Sequence, residues 1–327
     1  MGFFLLLGLL SVGLLVGGLG GSDDETAGPD PEPTDGRVTE GTDGNDTLEG
    51  GSISDLILGQ AGDDVISGAE GDDLLLGGGA QDVVRGDAGD DVLAGGGGND
   101  ALYGGRGDDI ALGGAGNDTL YGNDGDDTLA GVSGSNVLYG NAGNDSLNGL
   151  DAPDGWALFD EENLGGLEAE FATLMEETFG VAPGAALLDR VVTQLNSSGA
   201  EAGAPNADSL EGGAGNDTLI GDKGDTLTGG AGRDVFIADY LTADQSGLVT
   251  ITDYQPGDDP ATAERVIITY SSSITPAPGP VSFVQTGTDV EVRLADGTVA
   301  LLLTKVQAAK LSAAAFTLEP DTLTPAA

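Results

Sequence analysis

The sequence predicts a mainly β, solenoid-like fold in which short, similar units stack into a rod. Three observations predict it. A nine-residue period runs without a gap from Gly41 to Asn148, three columns of that period each keep one kind of residue, and after Ile237 the period changes from nine to two. Units too short to bury a hydrophobic face alone must stack on their neighbours, and alternation with period two marks a half-buried strand.

Residues 1–20 open with an apolar run, Phe3 to Leu19, broken only by small residues such as Gly8, Gly13, Gly17 and Gly18. If helical, it is about as long as a bilayer is thick. No Lys or Arg precedes it, and it ends in glycines before Asp23, Asp24 and Glu25. A secretory signal and an uncleaved anchor both fit, and either places the acidic bulk outside the cytoplasm. Residues 21–40, with Pro29, Pro31 and Pro33 among acids, read as an extended linker.

Residues 41–150 hold the repeat, twelve units from GTDGNDTLE to GNAGNDSLN. Position one is glycine in all twelve, position six is aspartate except at Asn136, and position eight is apolar throughout, from Leu48 to Leu147. Glycines at positions one and four are expected to take the positive φ of a tight turn. Side chains alternate along a strand, so position eight should point inward and positions seven and nine outward.

Composition sharpens what the repeat does. The chain has 56 acidic against 10 basic residues, a net charge of -46, 59 glycines, no cysteine and no histidine. That charge repels nucleic acid, whose binding needs Lys and Arg to displace counterions. Acidic, glycine-rich chains are ordinarily disordered unless their acids are regularly placed and meet a cation. Without cysteine there are no disulfides or zinc thiolates, and without histidine the Ser-His-Asp, Cys-His and HExxH mechanisms are closed. Carboxylate pairs are so abundant that none stands out as a glycosidase pair. No enzyme is expected.

The tract resembles the RTX, or haemolysin-type, calcium-binding nonapeptide GGxGxDxUx. It covers about a third of the chain and resumes from Gly212 as GGAGNDTLI, a shortened GDKGDTLT and GGAGRDVFI, so residues 203–237 read as a second block. The resemblance implies a parallel β-roll, a β-solenoid with six residues per turn and three per strand, two units to a coil. Aspartates such as Asp46 and Asp64, or Asp73 and Asp91, then lie about one strand spacing apart, ~4.8 Å. Their charges repel by roughly 1 kcal/mol per pair even in water, so the empty roll should not hold. Several Ca²⁺ ions, each taking six to eight oxygens, reverse that sign and make folding and binding one event.

The resemblance further implies carboxylate ligands at Asp46, Asp64, Asp73, Asp82, Asp91, Asp100, Asp109, Asp118, Asp127, Asp145, Asp217 and Asp234. Turn carbonyls are implied from Gly44, Gly62, Gly71, Gly89, Gly98, Gly107, Gly116, Gly125 and Gly143. Asn136 keeps an oxygen but no charge, and Ile53 and Ala80 replace the position-four glycine. The position-five acids Asp63, Asp72, Asp90, Asp108 and Asp126 read as a solvated turn.

The two outer faces differ. Even-numbered units present Leu56 and Leu58, Leu74 and Leu76, Val92 and Ala94, Ile110 and Leu112, an apolar face that needs a cover or a partner. Odd-numbered units carry Arg85 and then Tyr103, Tyr121 and Tyr139 at eighteen-residue spacing. That ladder reads either as β-propensity on an exposed face or as a platform on which sugar rings stack. Residues 151–202 interrupt the repeat with helical periodicity at Leu164, Leu167, Phe171, Leu174, Met175 and Phe179, and again from Leu187 to Leu195. They are expected to form a helical hairpin over the apolar sheet or the end of the roll; an oligomer through that sheet is the other reading.

Residues 238–327 alternate as strands over Leu248–Tyr254, Val266–Tyr270, Val281–Val284, Val290–Leu294 and Val299–Leu303, with a hairpin at Asp296-Gly297. They resemble the β-rich cap and export tail that follow such repeats, including the run VQAAKLSAAAF. The favoured function is a non-enzymatic, exported calcium-binding protein that folds on Ca²⁺ outside the cell; the second is glycan or cell recognition through the tyrosine ladder or the apolar face.

Overall fold

The structure, a computed structural model, describes residues 38–150, 207–222, 224–240, 248–256, 263–270 and 280–320. The expectations for residues 1–20, for most of the linker and for the 151–202 insertion lie outside the described residues. No helix among the described residues is long and apolar enough to cross a membrane.

The chain winds between two sheets, giving one strand to each in turn. Sheet I contains β1 (Val38–Glu40), β3 (Leu56–Ala61), β5 (Leu74–Gly79), β7 (Val92–Gly97), β9 (Ile110–Ala115), β11 (Thr128–Ser133), β13 (Ser146–Asn148), β15 (Thr218–Gly221), β17 (Val235–Tyr240), β19 (Arg265–Tyr270) and β23 (Phe316–Pro320), in that order and parallel throughout. Sheet II contains β2 (Thr47–Glu49), β4 (Val65–Glu70), β6 (Val83–Ala88), β8 (Ala101–Arg106), β10 (Thr119–Asp124), β12 (Val137–Ala142), β14 (Ser209–Ala214), β16 (Thr226–Ala231), β18 (Val249–Ile251) and β22 (Val299–Leu303), then β21 (Asp289–Arg293) and β20 (Ser282–Thr286). From β1 to β13 each residue pairs with the one eighteen positions on, as Leu75 does with Leu93. The coil is therefore two nonapeptides, as the repeat implied.

Position eight fills the interior. Ile57, Leu75, Leu93, Leu129 and Leu147 of sheet I meet Ile66, Val84, Leu102, Leu120 and Leu138 of sheet II, all fully buried. Each such side chain contributes about 1.5–3 kcal/mol by leaving water.

The strands are longer than the three residues implied. Most run six, from position seven through position three of the next unit, as in Leu74–Gly79. Pairing continues into the turn, where the Gly62 N–H donates to Gly79 O at 3.0 Å. Left-handed backbone makes this possible, and it falls at positions two and four rather than one and four. Position two carries φ of 82° at Gln60, 74° at Asp87 and 80° at Val132; position four carries 108° at Gly62 and 145° at Gly98.

Position-one glycines are required for space instead. A Cβ on Gly95 would collide with the Asp100 carboxylate and with the Gly113 carbonyl of the next coil.

After Ile237 the chain keeps to the same two sheets. Strand β19 pairs parallel with β17, and β22 with β18, so the tail extends the roll before it caps anything. Only β21 runs against the others: it pairs antiparallel with β22 through the expected hairpin, in which the Leu294 N–H donates to Thr298 O at 2.8 Å and Gly297 takes a φ of 90°, and antiparallel with β20 on its other side. The run from Val306 to Phe316 forms two short 3-10 turns, Ala308–Lys310 and Ala313–Ala315, and enters β23.

Candidate metal centre

Position six forms two rows, one along each edge where the coil turns. Row I is Asp55, Asp73, Asp91, Asp109, Asp127, Asp145, Asp217 and Asp234; row II is Asp46, Asp64, Asp82, Asp100, Asp118, Asn136, Asp208 and Asp225. One bond builds both: the backbone N–H of each member donates to Oδ1 of the member one coil later, at 2.6 Å for Asn136 and Asp208 and 3.0 Å for Asp217 and Asp234. Asn136 and Asp208, and likewise Asp145 and Asp217, are neighbouring rungs across the insertion.

The second oxygen has no such partner. At Asp64, Asp73, Asp82, Asp91, Asp100, Asp109, Asp118, Asp127, Asp145, Asp217 and Asp234, Oδ2 is buried and accepts no hydrogen bond. A buried acceptor left unpaired costs about 1–3 kcal/mol, and more when charged. Burial accordingly pushes these carboxyls up: Asp73 and Asp109 to about 8, Asp82, Asp91, Asp118 and Asp217 to about 7, and Asp100, Asp127 and Asp145 to about 6. The backbone donor on Oδ1 opposes the rise, and neighbouring acids add to it at most rungs, Asp91 and Asp55 around Asp73 among them.

Asn136 shows what lies beside that oxygen. Its Oδ1 keeps the row's bond to Asp118, while its Nδ2 donates to Gly134 O, the position-four carbonyl of its own turn, at 3.0 Å. By the repeat's geometry, an aspartate at this place sets a carboxylate oxygen against a carbonyl oxygen with no proton between them. Two acceptors facing each other call for a cation. A donor set of oxygen alone suits hard Ca²⁺. No three acidic side chains among the described residues converge on one point, so carbonyls must complete each shell. The buried Oδ2 atoms and the glycine turns therefore fit Ca²⁺, and the Asn136 rung, which satisfies itself, does not.

The ends of the rows also serve themselves. Asp46 Oδ2 accepts from the Thr42 N–H at 2.6 Å and its hydroxyl at 2.9 Å, and Asp55 Oδ2 accepts from the Gly51 N–H. Asp46 and Gly44 thus stand apart from the other expected ligands, since Gly44 lies in that same Thr42-capped turn. Gly62, Gly71, Gly89, Gly98, Gly107, Gly116, Gly125 and Gly143 all take the left-handed conformation at position four, and Ala80 does so too, at 83°. The position-five acids point outward and accept backbone bonds in the opposite sense, from the following coil: the Asp90 N–H donates to Asp72 Oδ1 and the Asp108 N–H to Asp90 Oδ1. They staple the turn and leave the cation to position six.

The sequence left Asp55, Asp208 and Asp225 out of the expected ligands, although all three stand in the rows. Asp208 was findable: counting nine from Gly203 puts Asp208 at position six and the buried Leu210 at position eight, with Asn206 hiding the unit by replacing its glycine.

The two outer faces differ as the sequence implied. Tyr103, Tyr121 and Tyr139 do stack, with centroids 5.0 and 4.9 Å apart and planes 2° and 12° from parallel. The Arg85 guanidinium lies 5.3 Å over the free face of Tyr103, and Glu211 follows Tyr139 in register. The rings stack face to face along the ladder, so Tyr121 is covered on both sides by its neighbours. On sheet I, Leu56, Leu58 and Leu76 are 0–1% exposed, and Leu74 and Leu112 are half-buried, while Val65 at an outward position of sheet II is 40% exposed.

A family described as the RTX calcium-binding nonapeptide repeat matches residues 40–75, 76–111, 103–136, 121–152 and 203–236. No curated protein matches the chain. Among solved structures, the crystal structure of the extracellular lipase LipA from Serratia marcescens is similar at 15% identity with a TM-score of 0.23, over 81% of this chain and 40% of that one. This chain spans less than half of that protein's length.

Proposed function

We propose, from the premise that this chain is an RTX calcium-binding nonapeptide repeat protein, that it is a non-enzymatic protein exported unfolded and folded by Ca²⁺ outside the cell. The observation that carries this reading is the set of buried Asp Oδ2 atoms without a partner. With the rows empty, those carboxylates are desolvated and mutually repelling, so the chain stays open where Ca²⁺ is scarce. With Ca²⁺ present, each ion converts a repulsive rung into a bridge, and binding free energy becomes folding free energy.

The test is a Ca²⁺ titration of the full chain followed by far-UV circular dichroism. A chelated sample is expected to be largely unordered and to gain β signal cooperatively as Ca²⁺ is added. A chain already β-rich in chelator, and unchanged by Ca²⁺, would sink the reading.

In the same reading, residues 151–202 form the helical hairpin that covers the outer face of sheet I. What supports this is their helical apolar spacing and their position immediately after β13, a strand of that sheet. Changing both Leu74 and Leu76 to Ser is expected to weaken Ca²⁺-induced folding; an unchanged titration would exclude the cover.

A further inference from the structure

Row I does not end where the nonapeptides end. Strand β19 pairs with β17 so that Arg265 lies opposite Val235, and the Arg265 N–H donates to Asp234 O at 3.0 Å. The same bond carries every earlier rung, for example from the Val235 N–H to Asp217 O. The residue before Arg265 is therefore the next member of the row, and it is Glu264 rather than an aspartate.

Glu264 is 1% exposed, and Asp234 beside it is 0% exposed. One Glu264 oxygen, Oε2, accepts from the Gln255 N–H at 2.6 Å, a donor that no repeat unit supplies. The other, Oε1, is buried without a partner, and so is Asp234 Oδ2. Asp253 sits nearby, its two oxygens held at 3.0 and 2.8 Å by the N–H groups of Gly229 and Gly230, and its charge and that of Asp234 both act on Glu264. Burial first, then those charges, would leave a carboxylate here strongly disfavoured unless something positive meets it.

We infer that Asp234 and Glu264 hold one more Ca²⁺, in a site built half from the last repeat and half from the tail, with main-chain carbonyls completing its shell. This rests on the calcium reading of the rows but differs in its parts. The repeat supplies one carboxylate, and the other arrives from a segment 30 residues further along the chain, so the ion ties the tail to the roll. The longer glutamate side chain suits a rung whose turn is not a GGxGxD turn.

The test is the number of Ca²⁺ ions bound by the full chain, counted by equilibrium dialysis, for wild type and Glu264→Gln. Glutamine keeps the shape and the Gln255 bond but removes the charge. The expected result is one ion fewer with the same circular dichroism at saturating Ca²⁺. An unchanged count would show a buried neutral carboxyl instead and overturn the site.

If Glu264→Gln does not fold, Tb³⁺ replaces Ca²⁺ in the wild type and in Tyr254→Phe, since the Tyr254 hydroxyl donates to Glu264 O at 3.3 Å and its ring is positioned to sensitise a lanthanide there. Lower Tb³⁺ emission at equal Tb³⁺ content supports the site, and equal emission overturns it. A wild type that binds no Ca²⁺ at all removes the reading of the rows and this site with it; a wild type that binds Ca²⁺ with no change in the variant removes this site alone.

Discussion

At the scale of single residues, two glycines in neighbouring coils make opposite demands. A Cβ on Gly95 would strike the Asp100 carboxylate and the Gly113 carbonyl, whereas one on Gly79 would meet only Gln60 O at 4.0 Å. Gly95→Ala is expected to cost about 3 kcal/mol, as overpacking does, and Gly79→Ala to stay within ~0.5 kcal/mol, both read from urea unfolding at saturating Ca²⁺. Ala80 is the reverse case, a side chain held at a φ of 83° in an exposed turn. Ala80→Gly should gain up to about 1 kcal/mol in the same assay, because the left-handed penalty is removed.

At the scale of the element, the rung decides how many ions the roll holds. Asn136 satisfies the place of the second oxygen with its own amide, so Asp100→Asn is expected to copy it: one ion fewer by dialysis, with the row's backbone bond intact. The tyrosine ladder belongs to stability. Tyr121 stacks on both neighbours, and Tyr121→Ala should cost about 1–3 kcal/mol from two aromatic pairs, with no change in ion number. The rows, the inward column and the two-unit coil were legible in the sequence because a strict period makes every coil repeat the same geometry. The left-handed position two was not, because Gln60, Asp87, Val132 and Asn141 share no residue type there. Glu264 was hidden for a different reason: the coil from β17 to β19 takes 30 residues instead of eighteen, and register is a property of the sheet that counting cannot recover.

At the scale of the whole molecule, protons and Ca²⁺ compete for the same oxygens. Nine row carboxyls, from Asp73 to Asp145 along the first block together with Asp217, sit at about 6 to 8 in the roll without metal, against 3.8 for an ordinary aspartate. Between those values the roll holds protons that the unfolded chain has released, so its metal-free stability is greatest below pH ~4 and is lost as pH rises toward 8. Ca²⁺ must displace those protons, so its affinity should rise across the same window, with protons released on binding. Isothermal titration in buffers of different ionisation enthalpy checks this; a pH-independent affinity between 6 and 8 would contradict it.

The reversal of β21 has one more consequence. A stack of identical parallel coils has no intrinsic length, since the last coil offers the same edge as the first accepts, and two such rods can join end to end indefinitely. Here β21 runs against the roll and joins β22 through a hairpin instead of a nonapeptide turn, so this end of sheet II offers no glycine-aspartate rung on which the rows of a second copy could continue. The antiparallel hairpin is thus a terminator of polymerisation, and a chain shortened before residue 280 is the one that should form fibres.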